Sequence, residues 1–365
     1  MAMESIRKQA VGVDISKDEF VARVILVRAS DNSLKFWRRR HFVNTLKGFQ
    51  SFHEWLKKHT LADVPMLIAM EATGVYHEEL AYYLHAQHYA VSIQLANKTK
   101  AYARSLNTHS KTDRIDADII ARMTAERELK PWHPMSKKML TIKALSRQRA
   151  QMVGQRTRVS NQRHAHRHGA VKSPEVLARF DALLQMYDEM VTQIEREMKE
   201  LVKGDATLSA ALKRSTSILG IGLITALTII AETDGFRLFT SRSQLVRYAG
   251  YDVEQRQSGS SLQGRGRISK RGNSHIRGIL YMSSISAVSR PGIFRDLYDR
   301  IVKRTGRKKM ALVAVQRKLL TTMYALEKNG TYYEQDYHKT HPTNGVGKPN
   351  DLPTVTMLHE HVLSC

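Results

Sequence analysis

The sequence has one cysteine, Cys365, so no disulfide can close within the chain and no cysteine-based zinc site is available. It has no long apolar run: the best, from Ile218 to Ala231, is broken by Gly220 and Gly222 and is too short to span a bilayer. The first residues, Met1 to Lys8, lack the apolar core of a signal peptide. Acidic residues are scarce beside basic ones, 34 Asp and Glu against 58 Lys and Arg, leaving a formal charge of +24. These shortages exclude a disulfide-built secreted scaffold and lead to the expectation of a cytoplasmic protein that does not enter a membrane. A basic protein working on a membrane surface would need an amphipathic or apolar anchor, which the sequence does not offer. The surplus of base points instead to a polyanion, because each phosphate neutralised by Lys or Arg releases condensed counterions.

The chain is nevertheless long and apolar enough for real cores. Its 365 residues are 42% hydrophobic, which suits two globular domains with an extended helical part between them. One stretch organises the reading, Ser258-Gly-Ser-Ser261-Leu-Gln-Gly264-Arg-Gly266-Arg-Ile-Ser269-Lys270, running on into Arg271-Gly272-Asn273. Glycines let backbone approach a phosphate, Arg265, Arg267, Lys270 and Arg271 supply positive charge, and serine hydroxyls stand ready as donors or nucleophiles. The same composition suits a flexible basic surface loop, and the stretch alone does not choose.

The first third alternates between strand and helix signals. Apolar runs at Ala10–Val13 and Phe20–Val27 predict two strands, and a more polar strand follows at 34–42. Asn44 or Thr45 is placed to cap a helix through Lys58, with Phe49, Phe52 and Trp55 at helical spacing. A short buried strand ends at Glu71, a helix spans about 76–86, and another strand spans 90–95. Three strands followed by helix, strand, helix, strand give a mixed α/β order that resembles the ribonuclease H topology.

Four carboxylates fall at telling places in this order. Asp14 closes the first strand, Glu71 closes the fourth, and Asp113 and Asp116 open a helix over 112–123, one face apart from Asp118. Carboxylates at the carboxyl ends of neighbouring strands can converge with two on a helix face. Such hard oxygen donors suit Mg²⁺ or Mn²⁺, which take phosphate oxygens as further ligands. Singly, each has a structural explanation, since acids favour helix starts and Asp favours turns.

The set Val11-Gly-Val-Asp14-Ile-Ser-Lys, Met70-Glu71-Ala-Thr-Gly-Val-Tyr76 and Lys111-Thr-Asp113-Arg-Ile-Asp116-Ala resembles the DEDD domain of the bacterial "one-ten" insertion-sequence family. These recombinases pair a RuvC-like domain with a serine-bearing C-terminal transposase domain, and the likeness extends from about Val11 to Lys328. It implies a RuvC-like, ribonuclease H-like domain over 1–135, a helical coiled-coil-like arm over 136–205, a mainly helical transposase domain over 206–332 and a disordered tail over 333–365.

The arm is also legible in the residues. From Leu140 to Arg158 apolar positions recur at three and four spacing beside a basic face of Lys143, Arg147, Arg149, Arg156 and Arg158, of which the four arginines are expected to bind nucleic-acid phosphate. A second helix from about 175 to 203 carries a stripe of Leu177, Leu184, Tyr187, Val191, Ile194, Met198 and Leu201. The two helices can pack on each other or on a partner. His164, His166 and His168 alternate and so do not share one helical face, which favours solvent or nucleic-acid contact over metal binding. In the C-terminal part, the Gly220 and Gly222 region reads as a helix-hairpin-helix-like element, able to hold a phosphate or simply to pack. Helices are expected over 243–249, 273–287 and 308–326.

The resemblance further implies that Ser258 is the nucleophile on DNA, assisted by Mg²⁺ or Mn²⁺ on Asp14, Glu71, Asp113 and Asp116, with Arg265, Arg267, Lys270, Arg271 and Arg277 gripping phosphate. It implies element ends and target DNA as substrates, a noncoding guide RNA, and homo-oligomers from dimer to tetramer in a bacterial cytoplasm. The chain departs from the family pattern after Ala249-Gly250, where Tyr251-Asp252-Val253 replaces a Leu-x-Pro-like step, so Ser260 and Ser261 stay open beside Ser258. The rival readings are a RuvC-like metal-dependent nuclease without a covalent intermediate and a nucleic-acid-binding protein without activity.

Overall fold

The computed structural model describes residues 5–72, 74–106, 113–254, 257–258, 262–263 and 267–335, leaving out the side chains of 113–115, 257–258 and 262–263. The chain divides into two compact units, residues 1–134 and 135–365.

The first unit is a five-stranded sheet with helices on both faces. In chain order it runs β1 (Ile6–Ile15), β2 (Glu19–Arg28), β3 (Leu34–Val43), α1 (Leu46–His59), β4 (Met66–Glu71), α2 (Glu78–Ala86), β5 (Val91–Gln94), α3 (Ala96–Ser105) and α4 (Asp113–Glu126). The sheet order is β3-β2-β1-β4-β5. The first three strands form an antiparallel meander, while β4 and β5 run parallel to β1. The expected strand and helix order of this unit is therefore present, with strands β1 and β2 longer than their apolar runs.

Alternation along β1 assigns the two faces. Val11, Val13 and Ile15 point into a core with Phe20, Phe42, Phe52 and Trp55, which α1 and α2 cover. Ala10 points the other way, against Ala121 and Ala125 of α4. Gly12 lies between these contacts, and a Cβ there would come within 2.1 Å of the Ala121 amide nitrogen and 2.4 Å of the Ala117 carbonyl. Helix α4 thus presents Ala117, Ala121 and Ala125, four residues apart, to a strand face with no side chain in the middle.

The second unit holds α5 (Lys137–His168), α6 (Pro174–Glu200), α7 (Ala206–Thr216), α8 (Leu223–Thr233) and α9 (Arg242–Ala249). Four two-residue strands follow, β6 (Val253–Glu254), β7 (Gln257–Ser258), β8 (Leu262–Gln263) and β9 (Arg267–Ile268), then α10 (Ser274–Val288), α11 (Ile293–Thr305) and α12 (Lys308–Asn329). Helix α8 is mostly apolar and buried from Thr225 onward, so it forms the centre of a core shared with α10 and α12. Ile142 of α5 and Ile194 and Met198 of α6 belong to the same core, which roots the arm in this unit.

The two arm helices pack on each other as an antiparallel pair. Arg149 pairs with Glu195, Arg156 with Asp188 and Arg163 with Asp181, at 2.7, 2.5 and 2.5 Å. Each step is seven residues forward on α5 and seven back on α6, the heptad register of a coiled coil.

The stretch from 258 to 270 is more than a loop: antiparallel β6 pairs with β9 and β7 with β8, giving a narrow ribbon. Of the two readings of the Gly220 region, close packing is present: Gly220 adopts φ +88°, and a Cβ would meet the Ala287 nitrogen of α10 at 2.7 Å. Helices α3 and α11 add to the expected elements. The tail expectation beyond residue 335 lies outside the described residues. Among the described residues, no helix is long and apolar enough to cross a membrane.

Candidate catalytic and nucleic-acid sites

Sheet register brings two of the four carboxylates together. In the parallel pair of β1 and β4, Val13 lies beside Met70, so the next residues, Asp14 and Glu71, leave neighbouring strands at the same carboxyl edge. Val13 and Met70 face the α1 core, so Asp14 and Glu71 face the opposite side, the one α4 covers. Helix α4 runs antiparallel to β1 there: Lys8 donates to the Thr124 carbonyl, Ala10 meets Ala121 and Ala125, and Gly12 meets Ala117. One further step along β1 leads from Gly12 to Asp14, and one further turn back along α4 leads from Ala117 to Asp113 and Asp116. The first turn of α4 is thereby brought to the Asp14 and Glu71 edge.

Glu71 is held from α3, whose buried Thr99 donates its hydroxyl to Oε2. Asp118 takes no part. It accepts a bidentate pair from Arg23, at 2.5 and 3.0 Å, and lies 3.6 Å from Arg39, which ties α4 to β2 and β3. The side chain of Asp113 lies outside the described residues. Among the described residues no three His, Cys, Asp or Glu side chains form a metal-holding group by themselves. The donors that the register brings to this edge are carboxylate oxygens, which fit Mg²⁺ or Mn²⁺ and not a thiolate-seeking metal.

Ser258 lies in β7, its backbone paired with Leu262 of β8. Its side chain, and Ser260, Ser261 and Arg265, lie outside the described residues. The base of the ribbon is described in full and is rigidly built. Gly250 ends α9 with φ +72°, and Gly272 sits where a Cβ would meet the Tyr248 carbonyl at 2.4 Å. The Asn273 amide donates to the Tyr248 carbonyl at 2.7 Å, and the Asn273 side chain caps α10 by accepting from His275 and Ile276. Arg277 donates to the Ala249 carbonyl at 2.8 Å, so one of its nitrogens serves the helix end rather than a ligand. Arg271 pairs with Glu254 at 3.2 Å, while Arg267 and Lys270 are exposed.

Beneath this base lies Glu232, a carboxylate with no exposed side-chain surface. Arg147 of the arm donates to both its oxygens at 2.7 and 2.9 Å, and Asn273 donates to Oε2 at 2.7 Å. The Tyr248 hydroxyl donates to the Glu232 carbonyl at 3.0 Å. Burial pushes the Glu232 carboxyl up, but the hydrogen bonds from Arg147 and Asn273 and the nearby charges outweigh it, so it titrates below the ordinary carboxylate value. One residue therefore joins arm, α8, α9 and the foot of the serine ribbon: its carboxylate holds Arg147 and Asn273, and its carbonyl holds Tyr248.

The arm's expected phosphate-binding face is differently employed. Arg147, Arg149 and Arg156 are committed to Glu232, Glu195 and Asp188. Arg158 remains exposed, with no carboxylate partner among the described residues. Thr99 and Glu232 are the functional-site residues that sequence reasoning missed. Thr99 had no signal, because α3 is polar and has no side-chain cap. Glu232 had one: it is the only charged residue in the otherwise apolar and hydroxyl-bearing α8.

Comparison with known proteins matches both units. Residues 11–169 match a transposase domain described as the DEDD transposase domain of IS110. Residues 212–299 match the transposase domain of the IS116/IS110/IS902 family. The pilin gene-inverting protein of Moraxella bovis is 28% identical over 337 residues, covering 91% of this chain and 99% of the relative. A probable family 20 transposase of Pseudomonas aeruginosa is 25% identical over 244 residues, 59% of this chain and 69% of the relative. The transposase for insertion sequence element IS1328 of Yersinia enterocolitica is 28% identical over 246 residues, with the same coverage.

Proposed function

The chain belongs to the IS116/IS110/IS902 transposase family, and from that premise we propose that it breaks and rejoins DNA through a serine nucleophile served by a divalent-metal carboxylate site. The observation that carries the reading is the placing of Asp14 and Glu71 on adjoining parallel strand ends, beneath the start of α4. The sheet order and strand directions support a ribonuclease H-like, RuvC-like domain for the first unit.

In this reading Asp14, Glu71, Asp113 and Asp116 would hold Mg²⁺ or Mn²⁺, with the Thr99 hydroxyl orienting Glu71. The bound metal would polarise the scissile phosphate and favour the deprotonated nucleophile. Ser258 Oγ loses its proton and attacks phosphorus. An Oγ–P bond forms as a P–O bond to deoxyribose breaks, and the departing sugar oxygen takes up a proton. Arg267, Lys270 and Arg265 balance the charge on the phosphate oxygens. The resulting phosphoserine ester keeps the bond energy, so a second sugar hydroxyl can reverse the step at a new end without hydrolysis. DNA is the partner that the family implies. Guidance by a noncoding RNA and assembly as dimer or tetramer follow from the resemblance and belong to this proposal.

The test is strand cleavage and joining on labelled element-end and target DNA with Mg²⁺ and copurified RNA. Asp14→Asn and Ser258→Ala are each expected to abolish product while leaving DNA binding intact. Cleavage that persists when Ser258, Ser260 and Ser261 are all replaced by Ala would assign hydrolysis by water and end the serine reading.

A further inference from the structure

The outer strand of the sheet has a composition that neither the core nor the carboxylate site uses. Strand β3 reads Lys35-Phe-Trp-Arg-Arg-Arg-His41, and every residue from Phe36 to His41 is exposed. It is an edge, hydrogen-bonded to β2 alone. Its register slips where Val24 faces Arg38 but Ile25 faces Phe36, leaving Trp37 as the extra residue of a bulge. A bulge re-aims side chains and twists an edge.

The side chains around that bulge form a charged aromatic platform. The Arg38 guanidinium lies 4.7 Å from the centre of the Trp37 ring, and the Lys35 ammonium lies 5.5 Å from it. Phe36 and Trp37 are 47% and 40% exposed, too open to be explained by core packing. Arg38 and Arg40 have no carboxylate partner among the described residues, unlike Arg39, which approaches Asp118. Lys57, Lys58 and His59 end helix α1 alongside. His59 is held below its ordinary value, first by loss of hydration and then by Arg38, Lys58 and Arg40, which places these cations in one positive field.

A second copy of the same edge is a poor occupant, since successive arginines would face their own kind. A DNA duplex satisfies the arginines but offers no base face to Trp37. A strand with unpaired bases satisfies both: phosphates meet Arg38 and Arg40, and a base stacks on Trp37 beside its guanidinium. Breaking and exchanging DNA strands exposes such a segment.

We propose that β3, through Trp37, Arg38 and Arg40, is a docking strip for an unpaired DNA strand. The strip is distinct from the carboxylate edge at Asp14 and Glu71. It binds without chemistry, so the test is made in EDTA and stands or falls apart from the serine mechanism.

The full-length protein is titrated with a fluorescent oligothymidylate of about twenty nucleotides, long enough to cover one such strip. An oligouridylate and a duplex of equal length are titrated in parallel. Trp37→Ala is expected to weaken oligothymidylate binding about ten-fold, the scale of one lost base stack, and to leave duplex binding unchanged. Replacing Arg38 and Arg40 with Gln should lower the salt dependence of oligothymidylate binding by about two phosphate contacts. Photocrosslinking of the wild-type chain to iodouracil-containing oligothymidylate should map to the peptide bearing Trp37. Unchanged affinity in both variants would overturn the proposal. So would tighter binding of oligouridylate than oligothymidylate, which would give the strip to RNA. A change of oligomer mass in Trp37→Ala without a change in DNA affinity would give the edge to a second copy and equally defeat it.

Discussion

At Gly12 the spacing between sheet and helix is set by a missing Cβ, because the Ala121 nitrogen stands 2.1 Å from where that atom would be. A backbone contact that close cannot be relieved by a side-chain rotation. Gly12→Ala is expected to destabilise the first unit by about 3 kcal/mol and to displace the start of α4 from Asp14. Thermal melting checks the first effect and loss of strand cleavage the second. Thr99 acts more locally, through its hydroxyl on Glu71. Thr99→Val should raise the Mg²⁺ concentration for half-maximal cleavage about ten-fold, and Thr99→Ser should restore it. Glu232 makes a pH prediction. Its folded carboxyl titrates below the ordinary 4.5, so its stabilising contribution is present above that value and is lost as acid takes the pH down through the folded pKa. Melting temperature should fall on acidification below about 4.5 in the wild type more steeply than in Glu232→Gln. The variant should be less stable at neutral pH by about 2 kcal/mol, since Arg147 keeps some access to water.

Among the elements, the arm and the serine ribbon show what could be read in advance. The apolar stripe of Leu184, Tyr187, Val191, Ile194 and Met198 announced a long helix, because helical periodicity is a local property of the chain. What that stripe would meet is not local, and it took the structure to show α5 as its partner. The ion pairs at heptad spacing fix that pairing register. Arg149→Glu is expected to lower the melting temperature, and adding Glu195→Arg should recover most of the loss, about 1 kcal/mol for a partly exposed pair. Arg147 and Arg156 looked like phosphate ligands for the same reason: their positive charge is local information, whereas Glu232 and Asp188 are far along the chain. The carboxylate edge was more legible. Asp14 and Glu71 end apolar strands, and a strand end has only a few places to go once the order of strands and helices is known. Helix α3 escaped because its residues are mostly polar and its N-cap, Leu95, makes no side-chain hydrogen bond. The ribbon from β6 to β9 escaped because strands of two residues are too short to show alternation.

Over the whole molecule, a chain with charge +24 has two units with separate cores. The first contributes the carboxylate edge and the exposed strip of β3. The second contributes a serine ribbon whose foot is tied to the arm through Glu232. On the proposed reading, positive charge gathers DNA broadly while the reacting groups are few, four carboxylates and one serine. The claim that unites them is that DNA becomes covalently joined to the protein during strand exchange. The most direct measurement traps that species with DNA unable to rejoin, digests the protein and locates the nucleotide by mass spectrometry. A nucleotide on Ser258, absent in Ser258→Ala and Asp14→Asn, is the predicted result. Cleaved DNA with no bound peptide, or a nucleotide on Ser260 or Ser261 in its place, would contradict the account.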